Sequence, residues 1–184
     1  MEKTIREPTP ALYPVPVVLV SCGSGPSANI ITLAWAGSLC SDPPIIGIGV
    51  RPGRHSHGLI LEEGAFVVNL PRADQIEKAD YCGTVSGEDE DKWKACDFTA
   101  SPSSQVNVPL IEECPVNIEC SLRQVIPLGT HDLFLGEVVA VQVDTELLDG
   151  RGRLDTAQAQ PLAYVNGEYR RVGDVIAQHG FTKR

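Results

Sequence analysis

Seven residues in the first third of the chain, Arg51–His57 (RPGRHSH), hold two arginines, two histidines and a serine. Guanidinium forks and a hydroxyl make charge-assisted hydrogen bonds to phosphate. The segment also precedes a run that reads as a helix, whose first amides and dipole attract an anion. The competing reading is a solvated turn in which Ser56 only caps that helix. Clustering favours the first, because the chain as a whole is acidic. It has 15 Lys+Arg against 24 Asp+Glu, a net charge of −9. An anionic ligand must find a local cationic spot, and a nucleic-acid backbone is repelled overall.

Other side chains could serve a flat ligand. Trp35 stands between Ala34 and Ala36, where a large ring is either a core aromatic or a wall beside a planar molecule. Lys92 and Trp93 fall in a short helix, where a lysine usually faces solvent. His131 begins a hairpin strand. No Ser/His/Asp or paired-carboxylate arrangement asks to be a nucleophile or an acid–base pair. The six cysteines, at 22, 40, 82, 96, 114 and 120, form no C-x-x-C and no zinc-finger spacing with histidine. They read as small buried hydrophobes.

The elements that must position these groups are short. Val15–Ser21 reads as a buried strand and Asn29–Ala36 as its hairpin partner across Gly23–Ser27. Ile45–Val50 is a third strand, whose Gly47 and Gly49 mark close approach of a backbone or ligand. A helix from about Ser56 ends at Gly64, with Glu62 and Glu63 at the unfavourable end of its dipole. Ala65–Leu70 is a strand, Arg72–Thr84 is helical, and Glu88–Ala95 is a second, shorter helix. Val116–Ile126 alternates, with Val116, Ile118, Cys120 and Leu122 on one face. Its phase shifts near Arg123, which predicts a bulge or a twist. Leu133–Val143 returns as a long strand and Leu162–Val165 as a short one.

This order has no βαβ rhythm, so it predicts an antiparallel barrel with peripheral helices. No G-x-G-x-x-G joins a strand to a helix, and no P-loop is present. The 184 residues suit one domain spanning 1–184. The N-terminal MEKTIREPTP has no apolar run, and the longest apolar stretches are too short for a bilayer. The expectation is a cytoplasmic protein with reduced thiols.

The run NIITLAWAGSLCSDPPIIGIGVRPGRHSHGLILEEGAFVVNLP resembles the flavin reductase-like, FMN-binding split-barrel family, and its flavoredoxin-type members most closely. DYCGTVSGEDEDKW, IECSLRQVIPLGTHDLFLGEVVAV and PLAYVNGEYRRVG follow in family order, so the likeness covers residues 10–173. It implies a mainly β, six-stranded antiparallel Greek-key split barrel with peripheral α-helices, forming a homodimer with FMN near the subunit interface. On that pattern Asn29–Trp35 runs along the isoalloxazine, with Thr32 at its polar edge and Trp35 flanking it. Ser38 and Cys40 lie nearby, and Asn69 sits close to the site. Arg51, Arg54, His55 and Ser56 hold the phosphate and ribityl chain. Lys92, His131 and Tyr164 approach the ring, from the same or the second subunit, with Lys92 at the pyrimidine end.

The resemblance implies an FMN-dependent oxidoreductase, with NAD(P)H or a redox protein as electron donor. The alternatives are a non-catalytic flavin-binding sensor or storage module and a cysteine-based redox or metal protein. Close Cys pairs, which the last would need, are absent from the sequence.

Overall fold

The computed structural model describes residues 1–183. Along the chain lie β1 (Val15–Pro16), β2 (Val18–Cys22), β3 (Asn29–Leu33), β4 (Ala36–Ser41), β5 (Pro44–Val50), α1 (His55–Glu63), β6 (Ala65–Leu70), α2 (Ile76–Thr84), α3 (Lys92–Ala95), β7 (Ala100–Ser101), β8 (Leu110–Ile111), β9 (Val116–Pro127), β10 (Asp132–Val143), α4 (Thr156–Ala159), β11 (Leu162–Val165) and β12 (Glu168–Arg171).

Seven strands form one antiparallel sheet in the order β3-β2-β6-β9-β10-β5-β4. Its two edges, β3 and β4, are separated in sequence only by Ala34 and Trp35. Laid flat, six inter-strand spacings would put those edges about 29 Å apart. The chain from Leu33 to Ala36 reaches about 11 Å at most. The sheet is therefore curled until its edges approach. They do not pair with each other, so the barrel stays split. β6, β9 and β10 are successive neighbours and β5, earlier in the chain, lies beside β10, which is the Greek-key crossover.

The expected fold class is the one found, with seven strands in the sheet where six were expected. The difference is β4. The sequence reads Asn29–Ala36 as one strand, but the chain breaks at Ala34-Trp35 to jump from one edge to the other.

Side-chain alternation explains the packing. Val18, Val20 and Cys22 point into the barrel with Ile46, Ile48, Val50, Phe66 and Phe134. Leu19 points outward and packs with Ile30 under Ala79 and Cys82 of α2. β2 is thus covered on both faces and buried along its whole length, with Ser21 its one polar side chain. Ile60 of α1 joins the barrel core. Gly136 leaves room for Phe66, whose ring carbons would lie 2.5–2.7 Å from a Cβ there.

The expected bulge is present: Leu135 faces Gln124 and Gly136 faces Leu122, so Arg123 is the unpaired residue. A second bulge, at Leu39 of β4, leaves that side chain lying across Gly47. Gly49 is met by Trp35. The close approach foreseen at these two glycines comes from the Leu39 side chain of β4 and from Trp35 just before that strand.

Three helix boundaries differ from expectation. The Arg72–Thr84 helix begins as a 3-10 turn at Ala73–Gln75 and is α-helical only from Ile76. α1 starts at His55, so Ser56 lies inside it. Arg54 is the N-cap, without a side-chain cap bond, and Gly64 ends the helix at φ 66°. The Glu88–Ala95 helix shrinks to Lys92–Ala95. Asp91 caps it by accepting from the Trp93 and Lys94 amides. The preceding acids are folded as a turn, with the Asp89 and Glu90 amides donating to Ser86 O.

A small sheet, β1-β11-β12, lies beside the barrel. Tyr169 of β12 donates to Asp80 of α2 at 2.8 Å. Two buried polar centres hold the remaining long connection. Asn69 bonds Leu19 O, the Ile111 amide and Asn117. Glu119, 0% exposed, accepts from the Ser104 amide and hydroxyl, the Gln105 amide and Gln142. Burial alone would raise the Glu119 carboxyl. These hydrogen bonds outweigh it and bring its pKa below the usual 4.5.

Candidate functional site

Where β3 meets the start of α1, two chambers join. The wider, about 380 Å³, is lined by Thr32, Trp35, Arg51, His131 and Tyr164 among others. The narrower, about 120 Å³, is lined by Asn29, His55, Ser56, Gly87 and Lys92 among others. Ile31, Arg54 and Gly83 border both. Ten of the thirteen residues expected at the site therefore converge within one chain, and Tyr164, Lys92 and His131 need no second subunit to do so.

The narrow chamber is cationic and rich in donors. Asn29 Nδ2 donates to Ser56 Oγ at 2.9 Å, tying β3 to the first turn of α1. Gly87 has to be glycine here, because a Cβ would collide with the Asn29 side chain. Lys92 is only 3% exposed. Its ammonium donates to Ile30 O and Cys82 O, both at 2.8 Å. Burial draws its pKa below the usual range, and the Arg54 charge acts in the same direction. Lys92 is thus neither a surface lysine nor a wall of the wide chamber. It lines the narrow chamber together with Arg54 and Ser56.

The wide chamber is aromatic. Trp35 is 47% exposed, so the core-aromatic reading fails. Its ring lies 4.3 Å from that of His131, tilted 48°. His131 Nε2 accepts from Arg51 Nε at 3.3 Å, so its proton is on Nδ1, 3.0 Å from Thr130 Oγ1. Burial, then the Arg51 charge, hold His131 below its ordinary 6.5. The Thr32 hydroxyl donates to Ala79 O at 2.5 Å, leaving it an acceptor. Tyr164 reaches the chamber from β11, braced by Tyr13 and Tyr169 at 6.2 and 6.0 Å.

Three expected residues lie outside the cavity. Ser38 is exposed on the edge strand β4. Cys40, also exposed, has its thiol against Asp42 O at 3.4 Å. Asn69 is fully buried in the network around Ile111 and Asn117, its amide wholly committed there.

One feature escaped the sequence. His57 Nε2 lies 2.8 Å from Asp132 Oδ2, with the His57 ring edge-on to Phe134 at 4.9 Å. The pair ties α1 to the first residue of β10, next to His131. His57 belongs to the basic segment, but its partner is 75 residues away, and only the fold reveals it.

A tail of anionic chemistry fits the narrow chamber and a flat ring fits the wide one. The family described as "Flavin reductase like domain" matches residues 11–173. The chain belongs to that family. It is thereby a flavin-binding protein of the oxidoreductase and electron-carrier class. Flavoredoxin of Desulfovibrio vulgaris (Miyazaki F) superposes with a TM-score of 0.93 at 33% identity, covering 100% of both chains. An FMN-binding protein from Thermus thermophilus gives 0.80 at 28% identity, over 97% of this chain and 99% of that one. An NADPH-flavin oxidoreductase of Streptomyces viridifaciens is 31% identical over 157 residues, 84% of this chain and 73% of that protein.

Proposed function

We propose that this flavin reductase-like protein holds FMN non-covalently and passes electrons through it. Its donor is NAD(P)H, as in a flavin or acceptor reductase, or a reduced protein, as in a flavoredoxin-like carrier. The observation that carries this reading is Arg54 at the neck between a cationic chamber and an aromatic one, the sequence of environments that a phosphate-tailed ring needs.

Arg54, Ser56 and the first amides of α1 hold the phosphate, with Lys92 supplying positive charge alongside. Trp35 and Tyr164 supply the ring with apolar walls. Neutral His131, fixed by Arg51, steadies the indole. FMN supplies the redox chemistry when bound, while the protein positions it and sets its electrostatic surroundings. The half-exposed Trp35 leaves the ring face open to a partner.

Flavin absorption bands in the purified protein, with FMN released on heating, are the expected result. Arg54→Ala should weaken FMN retention by about 1.5–3 kcal/mol, the worth of a hydrogen bond to a charged group. A colourless protein that takes up no added FMN would overturn the reading. NADH and NADPH oxidation, with and without added FMN or ferric chelate, separates the reductase from the carrier, which accepts electrons only from a reduced protein.

We also propose a cytoplasmic homodimer. The exposed edge β4, with Leu39 at 56% and Leu128 at 65% exposure beside Trp35, supports an interface there. Light scattering should give twice the chain mass.

A further inference from the structure

The narrow chamber does not end blindly. Asn29, His55, Gly87 and Lys92 also line a third, open chamber of about 600 Å³. Whatever extends past a phosphate held by Arg54 and Ser56 emerges there. The volume lies within the range that encloses a small organic ligand, so size alone does not exclude the adenylate half of FAD. Charge does. Glu88, Asp89, Glu90 and Asp91 all line this outer chamber, and among the described residues its only lysine or arginine is Lys92, already bonded to Ile30 and Cys82.

The acidic turn is held in place. The Glu88 amide donates to Ser86 Oγ at 3.2 Å, and the next two amides donate to Ser86 O at 3.3 and 3.2 Å. Glu88 Oε1 lies 3.5 Å from His55 Nδ1, across the seam between the two chambers.

We infer that the Glu88–Glu90 turn, closed against His55, makes the site select FMN over FAD. The inference rests on the flavin reading above. FMN ends in a phosphate monoester whose charge of nearly −2 is concentrated in the cationic chamber. In FAD that phosphate becomes part of a diphosphate bridge and keeps one charge. The second charge, with the adenosine, is pushed under the carboxylates and must displace the Glu88–His55 contact. Both changes act against FAD.

The test compares FMN and FAD binding by the flavin-stripped protein, following quenching of flavin fluorescence. The variant is Glu88→Gln/Asp89→Asn/Glu90→Gln. These side chains are exposed, and Asp91 is left alone because it caps α3. Wild-type protein should bind FMN at least about tenfold more tightly than FAD, a difference of about 1.4 kcal/mol. The variant should narrow that ratio about tenfold by gaining FAD affinity. Salt near 1 M, where screening reaches about 3 Å, should narrow it more in the wild type than in the variant. Equal wild-type affinities, or an unchanged ratio in the variant, would overturn the inference while leaving the flavin site standing. Failure to bind either flavin would overturn the site itself.

Discussion

Lys92 bonds two main-chain carbonyls at the narrow chamber, an arrangement that a surface lysine in a short helix does not need. Lys92→Met should remove both bonds and cost roughly 1–3 kcal/mol of stability. Denaturant titration of the two proteins, free of flavin, reads that loss separately from any effect on binding. His131 carries a pH dependence. Burial and the neighbouring Arg51 hold its pKa below 6.5, so it is neutral at pH 7 and accepts from Arg51. As pH falls through the lowered folded value, the ring gains a proton and that bond is lost. The unfolded chain binds the proton more readily, so this group's contribution to stability also declines as pH drops below 6.5. Arg51→Gln removes one of the two causes, and NMR titration of the ring should show the pKa moving upward. The basic segment and Trp35 were legible as residues because composition and placement single them out. Lys92's burial, and the His57–Asp132 pair, were not, because both depend on which distant backbone comes alongside.

At the level of elements, local rules succeeded where the chain obeys them locally. The phase shift in β9 placed the Arg123 bulge, and Gly64 placed the end of α1. The β3–β4 break was hidden because Ala34 and Trp35 carry no turn chemistry, and the break is imposed by the closing of the sheet. The Glu88–Glu90 turn was read as helix because acids suit a first turn. Asp91 outcompeted it by serving as the cap. Asn69, placed close to the site by the family resemblance alone, instead satisfies the backbone of Ile111. Glu119 plays the same part for the segment around Ser104. Glu119→Gln puts an amide NH₂ against donors and should cost about 1–3 kcal/mol at neutral pH. Its carboxylate is stabilised when folded, so the difference between the two proteins should be full above about pH 4.5 and fade as pH falls through the lowered folded pKa. Denaturation curves at pH 7 and pH 3 check this. Gly136→Ala should be destabilising by about 1–3 kcal/mol, because its Cβ would press on the buried Phe66 ring.

Across the whole molecule, the two ends of the curled sheet face each other over a slit bridged covalently only by Ala34 and Trp35. The wide chamber lies along that slit, taking Ile31, Thr32 and Leu33 from β3, Ala34 and Trp35 from the bridge, and Gly49 from β5, the strand next to β4. An occupant therefore touches β3, the bridge and β5 at once and acts as a clasp on a ring left open by its own backbone. Ligand at about 100 times its Kd should add about 2.7 kcal/mol to the free energy of unfolding. The gain should not be spread evenly. Backbone deuterium uptake at Ile31–Leu33 should slow more on loading than uptake in β9, which is hydrogen-bonded on both sides whether or not the clasp is fastened.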